Sequence, residues 1–181
     1  MTVPIQLDVR RTGKCFDAQA RLDLPAEAPV VWGVITQYET LAHFMPGIRA
    51  CRVTSQQAPG ADGIERLTLE QTGEFRLLLL SQTIRVTLDV QQLPMQWAEA
   101  RAQRFEVSAL NVRALDLFEG RYELKPHGTR GKARVELHYT AKIVLRVPPP
   151  PAIGSAAVRQ NLLAQLRAIE GEVGRRAAGA G

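Results

Sequence analysis

The chain has 181 residues, of which 45% are hydrophobic and 23% are charged, and this composition is typical of a single globular domain spanning residues 1–181. Its longest apolar run, Leu77 to Leu80, is far shorter than the roughly 20 residues of a membrane-spanning helix, and residues 1–14 lack the apolar core of a secretory signal. We therefore expect no transmembrane segment, and a protein that is cytoplasmic or exported with its signal already removed.

The net charge of +5 is unevenly distributed along the chain. Residues 1–90 contain 9 basic and 10 acidic side chains, whereas residues 91–181 contain 14 and 8. A basic half can attract RNA, a ribosome or an anionic membrane surface. Its charges are interspersed with acidic residues at alternate strand positions, which favours an ordinary solvated face and no binding to DNA.

The cysteines and histidines do not form a recognisable site. Cys15 and Cys51 are too far apart in sequence for a disulfide framework or a zinc motif, and we expect two free thiols. His43, His127 and His138 have no partner at ligand spacing. We expect no metal and no other cofactor.

The first elements are a strand and two short helices. Residues 15–24 alternate between apolar and polar side chains and predict a half-buried strand. The apolar residues of 28–36 then follow helical spacing, with Pro29 in the first turn, where its missing N–H costs no hydrogen bond. A second short helix is predicted over 38–45, and it ends at Pro46-Gly47.

Residues 48–147 predict six consecutive strands separated by short breaks, a pattern typical of an antiparallel meander. Residues 148–154 predict a stiff polyproline connector. The segment 152–176 predicts a long amphipathic helix, and residues 177–181 a frayed tail. Its apolar stripe consists of Val158, Leu162, Leu166, Ile169 and Val173.

This order of elements predicts an α+β fold with a seven-stranded antiparallel sheet. One face of such a sheet must be buried, and the C-terminal helix is the element available to cover it. Where the sheet curves away from the helix, a hollow remains between them.

Several segments together resemble the START-like superfamily of ligand-binding proteins. They are 28–39 (APVVWGVITQYE), 44–48 (FMPGI) with 51–53 (CRV), 118–124 (FEGRYEL) and the long helix of 153–176, so that the resemblance covers about residues 15–176. The spacing of the first two looks like the polyketide cyclase/dehydrase and coenzyme Q-binding branch. The resemblance implies a helix-grip fold, in which a curved sheet wraps around the C-terminal helix, and an internal cavity for an apolar small molecule. Residues 43–47 would then form the lip of that cavity.

Acid/base chemistry would require a carboxyl group that faces the interior. Alternation places Glu119 and Glu123 opposite Phe118 and Tyr122, and solvent exposure is the favoured expectation for Glu65 and Glu70 as well. Glu99 shares the parity of its strand's aromatic residues and would face inward with Arg101 if the strand kept its register. A bulge that turns this pair to solvent is favoured over an inward polar anchor.

The resemblance therefore implies binding or transport of a lipid, isoprenoid quinone or aromatic polyketide, and since no residue demands catalysis, binding is favoured over an enzymatic role. Two alternatives are a polyketide cyclase or dehydratase that uses Glu99 or Tyr122, and an interaction module of the ribosome-associated toxin type, which the same branch contains. The ligand-binding candidates are mostly apolar with a few polar groups, as in small-molecule sites generally. They are Trp32, Phe44, Met45, Leu67, Leu69, Trp97, Glu99, Phe105, Phe118, Tyr122, Tyr139, Asn161 and Gln165.

Overall fold

The computed structural model of the protein describes the backbone of residues 4–77, 80–107, 115–129, 132–147 and 150–179, and their side chains apart from those of 75–77, 80–82, 104–107 and 153. The elements within these ranges are eight strands, two α-helices and one 3₁₀ helix. In chain order they are β1 (Gln6–Thr12), β2 (Cys15–Leu24), α1 (Ala28–Thr36), the 3₁₀ helix (Tyr38–His43), β3 (Ile48–Gln57), β4 (Glu65–Leu77), β5 (Leu80–Leu93), β6 (Trp97–Val107), β7 (Leu115–Thr129), β8 (Lys132–Leu145) and α2 (Pro151–Gly179).

All eight strands belong to one antiparallel sheet with the order β1-β2-β8-β7-β6-β5-β4-β3. The predicted α+β class, the antiparallel meander and the long C-terminal helix are confirmed. The predicted number of seven strands is wrong by one, because β1 was not recognised. Each strand from β3 to β8 pairs with the next one along the chain. The strand β2 pairs with β8, and β1 is the edge strand beside β2.

The strand β1 carries a weak sequence signal because it is an edge strand. Only Leu7 and Val9 interrupt its polar residues, and charged edges are a common protection against edge-to-edge association. It pairs with β2 through a two-residue turn in which Gly13 has φ +61°, a conformation that glycine adopts without steric cost.

Alternation along the strands gives the sheet an apolar inner face and a polar outer face. In β2, Phe16, Ala18, Ala20, Leu22 and Leu24 are buried, and the residues between them are largely exposed. This is the period-two pattern of a sheet that is buried on one side only.

The helix α2 covers part of the inner face and packs against α1, β1 and β2. Its predicted apolar stripe is confirmed, since Val158, Leu162, Leu166, Ile169 and Val173 are all buried. The predicted boundaries are corrected at both ends. The helix begins at Pro151, whose fixed φ suits a first turn, so part of the predicted connector is helical. It ends at Gly179 instead of fraying from residue 177.

The 3₁₀ helix packs on β3 at the other side of the inner face. The turn that follows it is held against β4, where the Glu74 N–H donates to the Gly47 carbonyl at 2.8 Å. This approach requires Gly73, because a Cβ atom at that position would lie 2.2 Å from the Gly47 oxygen. Within the described part of the chain, neither α-helix is long and apolar enough to cross a membrane.

An ion-pair cluster joins the end of α2 to the junction between α1 and the 3₁₀ helix. Glu172 accepts hydrogen bonds from Arg175 at 2.7 and 2.8 Å and from Arg176 at 2.7 Å, and Arg176 also donates to the Gln37 side chain at 2.6 Å. The hydrogen bonds from Arg175, followed by those from Arg176, lower the pKa of Glu172 to about 2.

We predict that Glu172→Gln lowers the free energy of unfolding by about 2 kcal/mol at pH 7, since hydrogen bonds to charged groups are the stronger ones. The folded-state pKa lies below the ordinary value, so this contribution is present above about pH 4.5 and is lost as the pH falls towards 2. The effect of the substitution should therefore shrink when urea unfolding is measured at pH 3. Glu170→Gln, on the same helix, is the control; equal losses for both variants at pH 7 would contradict the prediction.

Candidate functional site

The apolar residues of the inner face form two separate clusters among the described residues. The larger, which we call the α2 cluster, contains the buried faces of β2, β8, α1 and α2. The smaller, which we call the 3₁₀ cluster, lies on β3, β4 and β5 and consists of Tyr38, Cys51, Leu67, Leu69, Val86, Leu88 and Val90. Leu41 and Ile48 pack against both clusters. A domain of this size usually has one continuous core, so the division marks a place where packing changes.

Tyrosine side chains meet where the two clusters adjoin. Tyr139 belongs to the α2 cluster, Tyr122 packs at its margin, and Tyr38 belongs to the 3₁₀ cluster, with Phe118 at that cluster's margin. We call Tyr38, Gln92, Phe118, Tyr122 and Tyr139 the boundary site.

The strand register explains why these groups lie together. Cross-strand partners form a row across the inner face, from Glu65 on β4 to Gln92, Ala98, Tyr122 and Tyr139 on the next four strands. Neighbouring strands are roughly 4.8 Å apart, so side chains in one such row contact each other directly. Tyr38 reaches the same row from the 3₁₀ helix.

A chain of hydrogen bonds runs along the β4 and β5 end of this row. The Tyr38 hydroxyl donates to Gln92 Oε1 at 2.7 Å, and Gln92 Nε2 donates to Glu65 Oε2 at 2.6 Å. Gln56 donates to the other oxygen of Glu65. The hydrogen bond between Tyr38 and Gln92 is buried, as their exposed fractions are 9% and 6%. Buried polar groups that are fully paired in this way are held in a fixed orientation.

The other two tyrosines are stacked on each other and lack such partners. The rings of Tyr122 and Tyr139 are 4.8 Å apart at their centroids and tilted by 35°. Neither hydroxyl has a hydrogen-bond partner among the described residues. Burial raises the pKa of Tyr122, and burial together with the neighbouring Tyr122 raises that of Tyr139. Both hydroxyls therefore stay protonated at neutral pH and are available to donate or accept.

Gly120 provides the space beneath these rings. A Cβ atom at this position would lie 3.2 Å from the Phe118 ring and 3.7 Å from the Tyr139 hydroxyl oxygen. The cross-strand neighbours of Gly120 are Ala100 and Ala141, so the floor of the site is made of small residues. A glycine within a strand is typical of such a close approach.

The apolar candidates predicted from the sequence are divided between the clusters. Trp32 and Met45 are buried in the α2 cluster, and Phe44 packs against it. Leu67 and Leu69 are buried in the 3₁₀ cluster. Of the predicted candidates, Phe118, Tyr122 and Tyr139 are the ones the structure brings together at the boundary.

Two candidates lie on the opposite face of the sheet and are corrected. Trp97 and Glu99 are on the outer face, where Arg121 lies 4.6 Å above the Trp97 ring and donates to Glu99 at 3.3 Å. Glu99 also pairs with Arg101 at 2.9 Å. The favoured outward orientation of the Glu99–Arg101 pair is thus what the structure has, and an acid/base role for Glu99 in the interior is excluded by its position.

The parity argument failed because β6 is irregular beyond residue 102. Leu88 pairs with Ala102 and Thr87 with Arg104, so Gln103 is an extra residue that reverses the alternation. Positions 97 and 105 therefore do not share a face. The backbone of Phe105 pairs with Val86, and its side chain lies outside the described part of the structure.

The polar candidates on α2 are half-buried. Asn161 donates its side-chain amide to the Ala157 carbonyl of its own helix at 2.9 Å, and Gln165 is placed one turn further on. Among the described residues, neither forms a hydrogen bond with a residue of the boundary site.

Three polar residues near the boundary, Glu65, Gln92 and Tyr38, were not among the site residues predicted from the sequence. Glu65 was expected in solvent, but it faces inward and pairs with the buried Gln92. Gln92 and Tyr38 were not considered as site residues. The parity of Gln92 with Val86, Leu88 and Val90 is a signal that would have identified it, since a polar residue on a buried face needs a partner.

The outer face offers charged groups that pair with one another. A groove on this face is lined by residues of β2, β6, β7 and β8, including Asp17, Glu119 and Lys142. Its charges alternate in sign and form salt bridges such as Arg101–Glu119 at 3.7 Å. The described residues contain no cluster of three His, Cys, Asp or Glu side chains that could hold a metal. This distribution does not favour a nucleic-acid interface, which would be predominantly basic.

Solved structures share this architecture at low sequence identity. A START superfamily protein from Mycobacterium smegmatis is 15% identical, with a TM-score of 0.66 over 88% of this chain and 97% of that one. The Zhui aromatase/cyclase from Streptomyces sp. R1128 is 18% identical, with a TM-score of 0.65 over 92% and 98%. A fragment (25–204) of a STAR-related lipid transfer protein from Xanthomonas axonopodis is 14% identical, with a TM-score of 0.62 over 93% of each chain. The fold is therefore the START-like helix-grip fold.

A family model described as polyketide cyclase/dehydrase and lipid transport matches residues 24–170. The match covers most of the chain, so the protein belongs to this family, and the predicted resemblance is confirmed at that level. A comparison with curated proteins found no match. Coenzyme Q binding stays a prediction.

We predict opposite effects for two hydroxyl deletions in ligand-free protein. Tyr38→Phe should lower the free energy of unfolding by about 1–3 kcal/mol, because it leaves the buried Gln92 oxygen unpaired. Tyr139→Phe should leave stability unchanged or raise it slightly, because its hydroxyl has no partner among the described residues. Urea unfolding followed by circular dichroism measures both. Equal losses would show that Tyr139 makes an interaction comparable to that of Tyr38.

Proposed function

We propose that the protein binds a hydrophobic small molecule at the boundary site, between the α2 cluster and the 3₁₀ cluster. The observation that carries this proposal is that the hydroxyls of Tyr122 and Tyr139, which have no hydrogen-bond partner among the described residues, lie where the two core clusters adjoin. A hydroxyl without a protein partner can pair with a ligand oxygen while no protein hydrogen bond is broken, so such a pairing contributes to affinity. Membership of a family that includes lipid transport and polyketide cyclases is consistent with an apolar ligand.

The chemistry of the site favours a ligand that has rings and a few oxygens. Phe118, Tyr122 and Tyr139 offer aromatic surfaces, and ring pairs at such distances are stabilising beyond their buried area. Small-molecule sites usually combine an apolar lining with a few placed polar groups, as this one does. An aromatic polyketide or a quinone fits this description better than a simple alkyl chain does.

Binding is favoured over catalysis because the boundary site lacks a suitable base among its described residues. Burial raises the pKa of Tyr38, Tyr122 and Tyr139, so they act as hydrogen-bond donors and acceptors and not as bases at neutral pH. Glu65 is the carboxylate of this row, and it is already occupied by Gln92 and Gln56. The proposed role is therefore to carry or sequester the ligand.

Native mass spectrometry of the protein purified from its source, followed by organic extraction, tests the proposal. We predict a stoichiometric apolar compound on the wild-type protein and its loss from Ala100→Leu, which places a larger side chain beside Gly120 on the inner face. Ala133→Leu, at an exposed position of β8, should retain the compound.

Stability distinguishes a ligand site from ordinary core. Overpacking a filled core costs about 1–3 kcal/mol, which we expect for Ala18→Leu because Ala18 is buried in the α2 cluster. Ala100→Leu should cost less than about 1 kcal/mol, since its side chain enters space that the ligand would occupy. A bare wild-type protein, together with equal destabilisation by both substitutions, would contradict the proposed function.

A further inference from the structure

We propose that Tyr38 determines ligand specificity by acting as an obligatory hydrogen-bond acceptor, so that the boundary site selects ligands carrying a hydroxyl donor. This inference rests on the proposed function and adds to it the class of ligand: a phenol or enol in preference to an ether, an ester or a hydrocarbon. Glu65 and Gln92 act as positioning residues, because they fix the direction in which the Tyr38 O–H points.

The direction of the hydrogen-bond chain follows from the chemistry of its last member. An ionised carboxylate accepts hydrogen bonds and cannot donate them. The Gln92 atom that lies 2.6 Å from Glu65 must therefore be the amide nitrogen, which turns the amide oxygen towards Tyr38. An amide oxygen only accepts, so the Tyr38 hydroxyl, 2.7 Å away, must be the donor.

The second interaction of Glu65 strengthens this assignment. Gln56 donates to the remaining carboxylate oxygen, so both oxygens of Glu65 receive amide hydrogens. Reversing the chain would place a donor against a donor or require a protonated carboxyl group. The arrangement thus has one polarity while Glu65 is ionised.

Burial prevents the Tyr38 proton from turning towards a ligand. If the O–H rotated away, the buried Gln92 oxygen would lose its partner, which costs more than an ordinary hydrogen bond gains. The lone pairs of Tyr38 are what it can present to the rest of the boundary site. The Tyr38 oxygen lies 2.7 Å from Gln92, which is two strands from Tyr122 in the same cross-strand row, so these lone pairs are on the side of the row that leads to Tyr122.

Tyr122 and Tyr139 have no such restriction. Their hydroxyls lack partners among the described residues and rotate to donate or to accept, as a free hydroxyl does. They bind oxygens of either kind without discriminating between them. Selectivity for a ligand hydroxyl therefore depends on Tyr38.

A matched pair of probes tests the inference: 1-naphthol, which donates a hydrogen bond, and 1-methoxynaphthalene, which only accepts one. Isothermal titration calorimetry measures the dissociation constant of each probe. We expect the wild-type protein to bind 1-naphthol about tenfold more tightly, the size of one neutral hydrogen bond. In Tyr38→Phe the ratio should fall to about one.

Glu65→Gln separates positioning from a general structural effect. The substituted amide can donate to Gln92, which can then reverse and donate to Tyr38, freeing the Tyr38 O–H. Binding of 1-methoxynaphthalene should therefore become tighter while 1-naphthol changes little, so the ratio falls. Glu70→Gln makes the same chemical change on the outer face of β4, where Glu70 pairs with Arg52, and should leave the ratio at its wild-type value.

The outcomes distinguish this inference from the proposed function. Equal wild-type affinity for the two probes would overturn the specificity of Tyr38 and leave the binding function intact. Parallel weakening of both probes by Glu65→Gln, at an unchanged ratio, would overturn the positioning role. Failure of the wild-type protein to bind either probe would count against the inference and the proposed function together.

Discussion

The structure is governed by a mismatch in width between one helix and one sheet. An eight-stranded sheet with strands about 4.8 Å apart is roughly 34 Å across, whereas an α-helix with its side chains is about 10–12 Å wide. The sheet is apolar on its inner face, which must be removed from water. The single helix α2 cannot cover that face alone, so it packs over β1 and β2, while α1 packs on β7 and β8 and the 3₁₀ helix packs on β3. The division of the core into two clusters follows from this constraint.

The division of the core also determines where the tyrosine hydroxyls lie. Where the two clusters adjoin, the hydroxyls of Tyr122 and Tyr139 have no hydrogen-bond partner among the described residues, so a bound molecule can pair with them. The tyrosines at the two ends of the cross-strand row differ in their hydrogen bonding. The Tyr38 hydroxyl donates to Gln92, which in turn donates to Glu65. The hydroxyls of Tyr122 and Tyr139 have no hydrogen-bond partner among the described residues. In the proposed role, the site combines one fixed acceptor, Tyr38, with two adaptable groups, and this combination would give selectivity for a ligand hydroxyl and tolerance of other oxygens.

The parts of the fold that depend on local sequence were predictable. Six strands between residues 48 and 147, the strand at 15–24 and the stripe of α2 all follow from hydrophobic periodicity, which burial on one face imposes. The strand β1 was missed because an edge strand needs few apolar residues. The ends of α2 were misplaced because Pro151 is compatible with a first turn and because Ala177 to Gly179 continue the helix.

The site was less predictable because it depends on long-range register. A single extra residue, Gln103, reverses the alternation of β6, and no local feature of the sequence distinguishes it from its neighbours. The inward position of Glu65 becomes meaningful only when Gln92 and Tyr38, distant in sequence, are seen to pair in a chain with it. Phe118, Tyr122 and Tyr139 were predictable as inward-facing residues from their strands alone. Their convergence with Tyr38 was not, because it depends on how the 3₁₀ helix packs.

Nuclear magnetic resonance of protein labelled at its alanine methyl groups tests the central claim most directly. Ala98 and Ala100 lie on the inner face of β6, on the two sides of the boundary, and Ala133 lies at an exposed end of β8. The account predicts that titration with 1-naphthol shifts the methyl signals of Ala98 and Ala100 in a saturable manner and leaves that of Ala133 in place. Saturable shifts confined to exposed alanines, with Ala98 and Ala100 unmoved, would place the ligand elsewhere and contradict the account.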